Sequence, residues 1–256
     1  MFFRLPDTDN EYIIKRRKKI LYKQYFCLFV VLVSTLAILC LKHPIFNIKN
    51  IEVFNNKNIQ KQEIVKSSQI YIGNNIFYVN TSNVERDILR NPYILNVNIK
   101  RKIPNKICIY VTERQVKFYN KKNKDYIIVD KQGIALQKKS NIKHMNLLML
   151  EGLDFNKAEV GKTIPCDDKR KYEVISKISN LVDKNISNIE FSLVDIKDLL
   201  DIKIYSGNMC IKIGTSNDLE KKLNRAINVL KKDEVKGKKG YIDVSYDGNP
   251  VLFIEK

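Results

Sequence analysis

Hydrophobic and polar residues are arranged along this chain in three ways, and each arrangement predicts a different kind of element. From Tyr25 to Leu41 (YFCLFVVLVSTLAILCL) no charge interrupts an apolar run. A helix from Lys23 to Lys42 rises about 28 Å, enough to cross a hydrocarbon core of about 30 Å. The two lysines can extend their ammonium groups into the headgroups. A cleaved signal sequence has a shorter apolar stretch, roughly 7–15 residues, ending in a small-x-small site. Ile38-Leu39-Cys40-Leu41-Lys42 offers no such site, and Ile38 and Leu39 are too bulky for lipoprotein processing at Cys40. The run therefore predicts an uncleaved transmembrane helix over residues 25–42.

The second arrangement is strict alternation. Leu95, Val97 and Ile99 alternate with Asn96, Asn98 and Lys100, and Ile107, Ile109 and Val111 with Cys108, Tyr110 and Thr112. Joined through Lys102-Ile103-Pro104-Asn105, they predict an antiparallel hairpin with one apolar face. Upstream, Ile48–Phe54 reads as a strand that ends at the turn Asn55-Asn56. Ile59–Ser67 reads as a short helix carrying Ile64 and Val65, and Gly73-Asn74-Asn75 as a tight turn. Ser82-Asn83-Val84-Glu85 has the form of a capping box. The helix it opens runs through Leu89 and stops before Asn91-Pro92, because the residue before proline disfavours α geometry. Residues 45–114 thus predict a β-α-α-β-β domain in which Val84, Ile88 and Leu89 cover the hairpin.

The third arrangement mixes both periods over residues 115–256. Tyr126–Asp130 and Gly133–Leu136 resemble a hairpin, as do Ile202–Tyr205 and Cys210–Ile213, and Asn146–Leu150 is a buried-looking apolar run. Helical spacing places Val174, Ile175, Ile178, Leu181 and Val182 on one face of Lys169–Lys184. It places Leu219, Leu223, Ile227 and Leu230 on one face of a second helix. Tyr241–Tyr246 and Val251–Ile254 read as the last strands. The class is α+β: one transmembrane helix, a β-α-α-β-β domain and a mixed, mainly antiparallel β domain with two helices.

Charge fixes the direction of the anchor. Residues 1–24 carry seven Lys/Arg, five of them in the cluster Lys15–Lys19, against three acids. The positive-inside rule keeps such a tail in the cytoplasm and delivers the rest outside. The chain as a whole carries a formal charge of +18, most of it on the exported part. Nucleic acid is not an expected partner for an exported domain. A basic surface there faces anionic lipid and anionic wall polymer, and the wealth of Lys, Asn and Ile also reflects an AT-biased coding sequence. Beyond the apolar run, Cys108, Cys166 and Cys210 are an odd, widely spaced set, unlike a disulfide framework or a zinc site.

Catalytic chemistry finds no support in the residue pattern. His43 lies at the membrane edge and His144 in a polar stretch, neither near a nucleophile-like Ser or Cys. No glycine-rich phosphate cradle is present. Asp167-Asp168 suit the first turn of a helix, where carboxylates favour the dipole. No catalytic residue, metal or cofactor is expected. Glu113-Arg114, at the end of the hairpin, mark the domain junction and either fix the domains' relative angle or meet a partner.

Taken in order, these motifs resemble the bacterial FtsQ/DivIB family. The matching residues are Ile48-x-x-Ile51-x-Val53, Gly73-Asn74-Asn75-Ile76, Asn91-Pro92-Tyr93-Ile94 and Arg101-x-x-Pro104. They continue with Ile107-x-Ile109-x-Val111-x-Glu113-Arg114, Val129-Asp130-x-x-Gly133, Ile213-Gly214 and Tyr241-Ile242-Asp243-Val244. Asn55-Asn56 departs from the family's Gly-Asn, though Asn tolerates positive φ, and the tail after Tyr246 is short. The resemblance implies a POTRA domain over residues 45–114 and an FtsQ/DivIB-type β domain over 115–256. It also implies a non-enzymatic divisome scaffold at the septum, in the cell membrane with its C-terminal part outside. Its partners would be FtsL- and FtsB/DivIC-like bitopic proteins and other divisome proteins, and its task to help control septal peptidoglycan synthesis. The alternative is a membrane-anchored wall-polymer-binding protein or cell-wall enzyme. The resemblance further implies partner contact through Tyr241, Asp243, Ser245, Tyr246 and Gly248 on a sheet edge, with Tyr246 as the aromatic anchor. Against this stands the possibility that Tyr246 caps the core and Val251–Ile254 close the edge.

Overall fold

A computed structural model of the chain describes residues 11–255. The first ten residues of the expected basic tail lie outside the described residues. Helix α1 runs Glu11–Lys42, so the basic cluster is itself helical, as expected of Lys, Arg, Ile and Leu, none of which breaks a helix. Its 28-residue stretch Lys15–Lys42 is long and apolar enough to cross a membrane, and none of its most apolar window is buried in protein. Ser34 and Thr35 return their hydroxyl protons to the Val30 and Val31 carbonyls at 2.8–2.9 Å. The two aliphatic hydroxyls of the run are thereby satisfied within the helix, as a hydrocarbon setting requires.

The chain divides into two compact units, with the division falling inside two strands: the first unit extends to Ile88 and adds Val97–Val111. After α1 come a 3₁₀ turn Pro44–Phe46, strand β1 (Asn50–Phe54), helices α2 (Lys61–Ser68) and α3 (Thr81–Ile88), and strands β2 (Ile94–Lys102) and β3 (Lys106–Glu113). The sheet order is β1-β3-β2, with β1 parallel to β3 and Asn50 opposite Lys106. As the central strand, β3 is buried on both faces, and Cys108 is as inaccessible as Ile107 and Ile109. Ile64, Val84 and Ile88 are also buried, and α2 packs on β1 and α3. Asn55 sits at φ 65°, the left-handed turn conformation open to asparagine.

Two expectations change here. The cap of α3 is Asn80, whose Oδ1 accepts from the Ser82 and Asn83 amides at 3.1 and 3.2 Å, and not Ser82. In β2 the inward positions are Ile94 and Val97, while Leu95 and, just past α3, Leu89 are each 38 % exposed. Two buried residues three apart cannot belong to an unbroken alternation. The period slips where the chain leaves the Asn91-Pro92-Tyr93 turn, which holds the Tyr93 amide on Asn91 Oδ1 and the Ile94 amide on the Asn91 carbonyl.

The second unit is built on a nine-stranded sheet. Its strands are β4 (Val116–Lys122), β5 (Asp125–Asp130), β6 (Ala135–Lys139), β7 (Leu148–Glu151), β8 (Leu193–Asp195), β9 (Ile202–Ser206), β10 (Met209–Gly214), β11 (Gly240–Asp243) and β12 (Val251–Ile254). Helix α4 (Arg170–Asp183) lies between β7 and β8 in sequence, and α5 (Leu219–Leu230) between β10 and β11. The spatial order is β12-β11-β10-β9-β8-β7-β4-β5-β6. β4–β7, β7–β8 and β10–β11 are parallel, and the remaining neighbours antiparallel. One continuous core joins Ile204, Ile211 and Ile242 of the sheet to Val174 and Ile178 of α4 and to Leu223 and Ile227 of α5. These are the helix faces that the 3.6-residue spacing marks.

Candidate partner-binding site

The last two strands carry the expected contact residues. β11 continues the parallel pairing with β10 as far as the Val244 amide, which donates to the Lys212 carbonyl at 3.0 Å. Ile242 and Val244 point into the core, 0 % and 1 % exposed, while Tyr241 and Asp243 lie on the opposite face. The alternation ends there. Tyr246, expected in the strand and in phase with Ile242, sits in the loop after it and is 43 % exposed.

Three carbonyls explain why the strand stops. Arg225 of α5 donates through Nη2 to the Val244 and Tyr246 carbonyls at 3.1 and 2.9 Å, and through Nη1 to that of Gly248. Its Nε is buried without a hydrogen-bond partner. A guanidinium fork turns the chain where a strand would have continued. Asp243 Oδ1 accepts from the Ser245 amide and hydroxyl at 3.0 and 2.7 Å, and the Tyr246 hydroxyl donates to the Asn249 carbonyl at 3.1 Å. A Cβ on Gly248 would press on the Tyr246 ring at 3.0 Å. The five expected residues thus occupy one strand and its loop, yet Asp243 and Ser245 are engaged with each other.

The open edge of the sheet lies one strand further on. β12 pairs with β11 along its length, Gly240 opposite Ile254 and Asp243 opposite Val251, so Val251–Ile254 cover the edge of β11 and themselves become the edge. A Cβ on Gly240 would lie 2.0 Å from the Phe253 carbonyl oxygen, so the two strands close only over glycine. The Glu255 amide donates to the Lys239 carbonyl. Because antiparallel pairs alternate between bonded and non-bonded, Phe253 and Val251 then face β11, and the N–H and C=O groups of Leu252 and Ile254 face outward. Phe253, 48 % exposed, stacks on Tyr241 with ring centroids 5.2 Å apart, and Lys212 Nζ lies 3.9 Å from the centre of the Tyr241 ring. The edge therefore combines unpaired backbone groups with an aromatic surface. Phe253 and Arg225 were not among the residues singled out from sequence. An aromatic in a short terminal strand and an arginine on an amphipathic helix have no motif to mark them.

At the expected junction, Arg114 donates to Asp130 Oδ2 at 2.9 Å and to Gln132 Oε1 at 3.0 Å. Asp130 is 2 % exposed and fully engaged, its Oδ1 accepting from the Gln132 and Ile134 amides at 2.8 Å. The motif Val129-Asp130-x-x-Gly133 is this turn, and Arg114 neutralises its buried carboxylate. Glu113 closes β3. His43 accepts the Ile45 amide and caps the 3₁₀ turn. Among the described residues no group of three His, Cys, Asp or Glu could hold a metal ion.

Two family profiles match the chain: "POTRA domain, FtsQ-type" over residues 46–114 and "Cell division protein FtsQ/DivIB, C-terminal" over 118–245. The chain belongs to the FtsQ/DivIB cell division family. It is 48 % identical to the cell division protein DivIB of Clostridium botulinum (strain Loch Maree / Type A3) over 97 % of this chain and 98 % of that one. It is 44 % identical to the DivIB of Clostridium tetani (strain Massachusetts / E88), covering 97 % and 95 %. With the cell division protein FtsQ of Syntrophotalea carbinolica the identity is 26 %, covering 77 % and 69 %. A role in cell division follows for this FtsQ/DivIB protein, and among the described residues one N-terminal helix is long and apolar enough to anchor it in a membrane.

Proposed function

We propose that this FtsQ/DivIB protein is a non-enzymatic divisome scaffold. Its basic tail stays in the cytoplasm, its residues beyond the membrane lie outside, and it is enriched at the septum. There it binds the ectodomains of FtsL- and FtsB/DivIC-type bitopic proteins and helps control septal peptidoglycan synthesis. The observation that carries the reading is the open edge of β12 with the Tyr241–Phe253 stack beside it. An edge with unpaired backbone groups takes a partner strand by β-augmentation. Extended segments of small bitopic proteins suit such a site, since their few residues gain register and affinity from main-chain bonds. Tyr246 and Gly248, in the adjoining loop, flank the incoming strand.

The full-length protein would be co-purified with its FtsL and DivIC counterparts, as wild type and as Phe253→Asp and Tyr246→Glu variants. Loss of the pair in both folded variants supports the edge. Wild-type capture by both would move the contact elsewhere. Retention on isolated wall polymer with no capture of the bitopic pair would favour the polymer-binding alternative, for which the net charge of +18 speaks.

A further inference from the structure

The end of α1 is bonded to the first folded unit by one side chain. Asn75 Nδ2 donates to the Cys40 and Leu41 carbonyls at 3.0 and 3.1 Å, two acceptors that the helix terminus would otherwise leave open. Its Oδ1 accepts from the Phe77 amide at 2.9 Å, and the residue is 7 % exposed. The backbone around it is stitched to the segment that follows α1. Asn75 bridges Asn47, Ile76 donates to the Phe46 carbonyl at 2.9 Å, the Ile48 amide donates to the Asn74 carbonyl, and the Gly73 amide donates to the Ile48 carbonyl. Loop 71–78 is therefore fixed beside the helix end and does not hang from a flexible linker.

That position has a depth. Lys23 to Lys42 rises about 28 Å, close to the thickness of a hydrocarbon core, which puts Lys42 at its boundary. The interfacial layer beyond is about 5–8 Å deep on each side. Tyr71, Ile72, Phe77 and Tyr78 lie within four residues of Asn75, each residue reaching at most about 3.6 Å. The turn between β2 and β3 emerges at the same end. Asn50 is level with Lys106, the Lys49 amide donates to the Asn105 carbonyl, and Arg101 Nη2 donates to the Val79 carbonyl at 2.6 Å. Ile45, Tyr71, Ile72, Phe77, Tyr78 and Ile103 are between 36 % and 69 % exposed there, with Arg101 and Lys102 beside them. Aromatic and aliphatic side chains with cations around them are the composition of a surface that enters lipid headgroups.

We propose that this pole is a membrane-docking face. Tyr71, Ile72, Phe77 and Tyr78 enter the interfacial layer next to α1, Arg101 and Lys102 meet anionic headgroups, and Asn75 holds the loop at that depth. The inference rests on reading α1 as a membrane anchor. It makes the first ectodomain module a body seated on the bilayer, which fixes where the chain beyond it starts.

The protein has no tryptophan, so single replacements report their own depth. Full-length Phe29→Trp, Tyr78→Trp, Ile72→Trp and Lys57→Trp variants would be reconstituted into phosphatidylethanolamine–phosphatidylglycerol vesicles. Each vesicle set would carry a lipid quencher placed either high or low on the acyl chain. Phe29→Trp lies inside the apolar run and is expected to be quenched most by the deep probe. Tyr78→Trp and Ile72→Trp are expected to shift to the blue and lose emission mainly to the shallow probe. Lys57→Trp, exposed beyond the other end of β1, is expected to lose none. Adding Asn75→Ala should weaken quenching at Tyr78→Trp and leave Phe29→Trp unchanged. Quenched Phe29→Trp with unquenched Tyr78→Trp and Ile72→Trp would overturn the docking face while the anchor stands, and would assign the patch to a protein partner. Quenching of Lys57→Trp equal to that of Tyr78→Trp would overturn it as non-specific adhesion. Unquenched Phe29→Trp would refute the anchor, and the docking face with it.

Discussion

Proline at the edge strand separates the backbone role of β12 from its structural one. The Ile254 N–H points outward, whereas the Phe253 N–H is spent on β11, as the alternation from Glu255 requires. Ile254→Pro therefore removes a donor that the folded chain does not use, in the one place where a sheet tolerates proline. Its cost is part of a half-buried side chain and some strand geometry, about 1 kcal/mol, or a Tm lower by about 2–4 °C for a unit of this size. Phe253→Pro breaks a ladder bond, orphans the Tyr241 carbonyl and removes the ring stack, costing about 2–4 kcal/mol. In a complex the order reverses in meaning. If a partner strand pairs with β12, Ile254→Pro leaves one partner carbonyl unsatisfied at a buried seam. Affinity then falls by about 1–3 kcal/mol, roughly fivefold to 150-fold. The assay is thermal unfolding of each detergent-solubilised full-length variant, followed by titration with the FtsL–DivIC ectodomain pair. Wild-type affinity in a folded Ile254→Pro protein would refute pairing through this edge. A collapse of Tm in that variant would refute the assigned hydrogen-bond phase.

Three further outcomes follow from the same geometry. Ile109 is fully buried in the central strand of the first unit, so Ile109→Asp should cost more than about 3 kcal/mol, an unpaired carboxylate having lost its hydration; an unchanged unfolding curve would contradict the packing. Gly240→Ala must displace the Phe253 carbonyl and should free β12 for proteolysis after Phe253 while the rest of the unit stays resistant; uniform resistance would count against the close approach. Burial and, after it, the neighbouring Cys166 thiol push the Tyr172 hydroxyl up to about 12 from an ordinary value near 10. The unfolded chain ionises this phenol first, so the stability it contributes is whole below about pH 10 and is lost as the pH rises toward 12. Tyr172→Phe forfeits the bond to the Ile164 carbonyl, about 1 kcal/mol at neutral pH, and its stability should then fall less steeply between pH 10 and 12 than that of the wild type; parallel curves would disprove the assignment.

Local pattern determined much of this protein. The anchor is one unbroken apolar run, and the two amphipathic helices of the larger unit bury residues at a fixed period. A fixed period survives in any tertiary setting that covers one face. Turn chemistry was legible for the same reason, since the φ of 65° at Asn55 is a property of that residue in that place. Tertiary structure decided what depends on residues far apart. The slip in β2 that buries Ile94 and exposes Leu95 comes from the turn packed against its start, and short strands such as β8 exist only because neighbours pair with them. The proposed contact site was legible as a region and not as a surface. Tyr241, Asp243, Ser245, Tyr246 and Gly248 do cluster, but the Arg225 fork that ends the strand comes from α5. The edge passes to β12 because Gly240 lets the last strand close on β11. Which strand is outermost is a matter of long-range pairing, and hydrophobic alternation, a nearest-neighbour signal, carries no record of it.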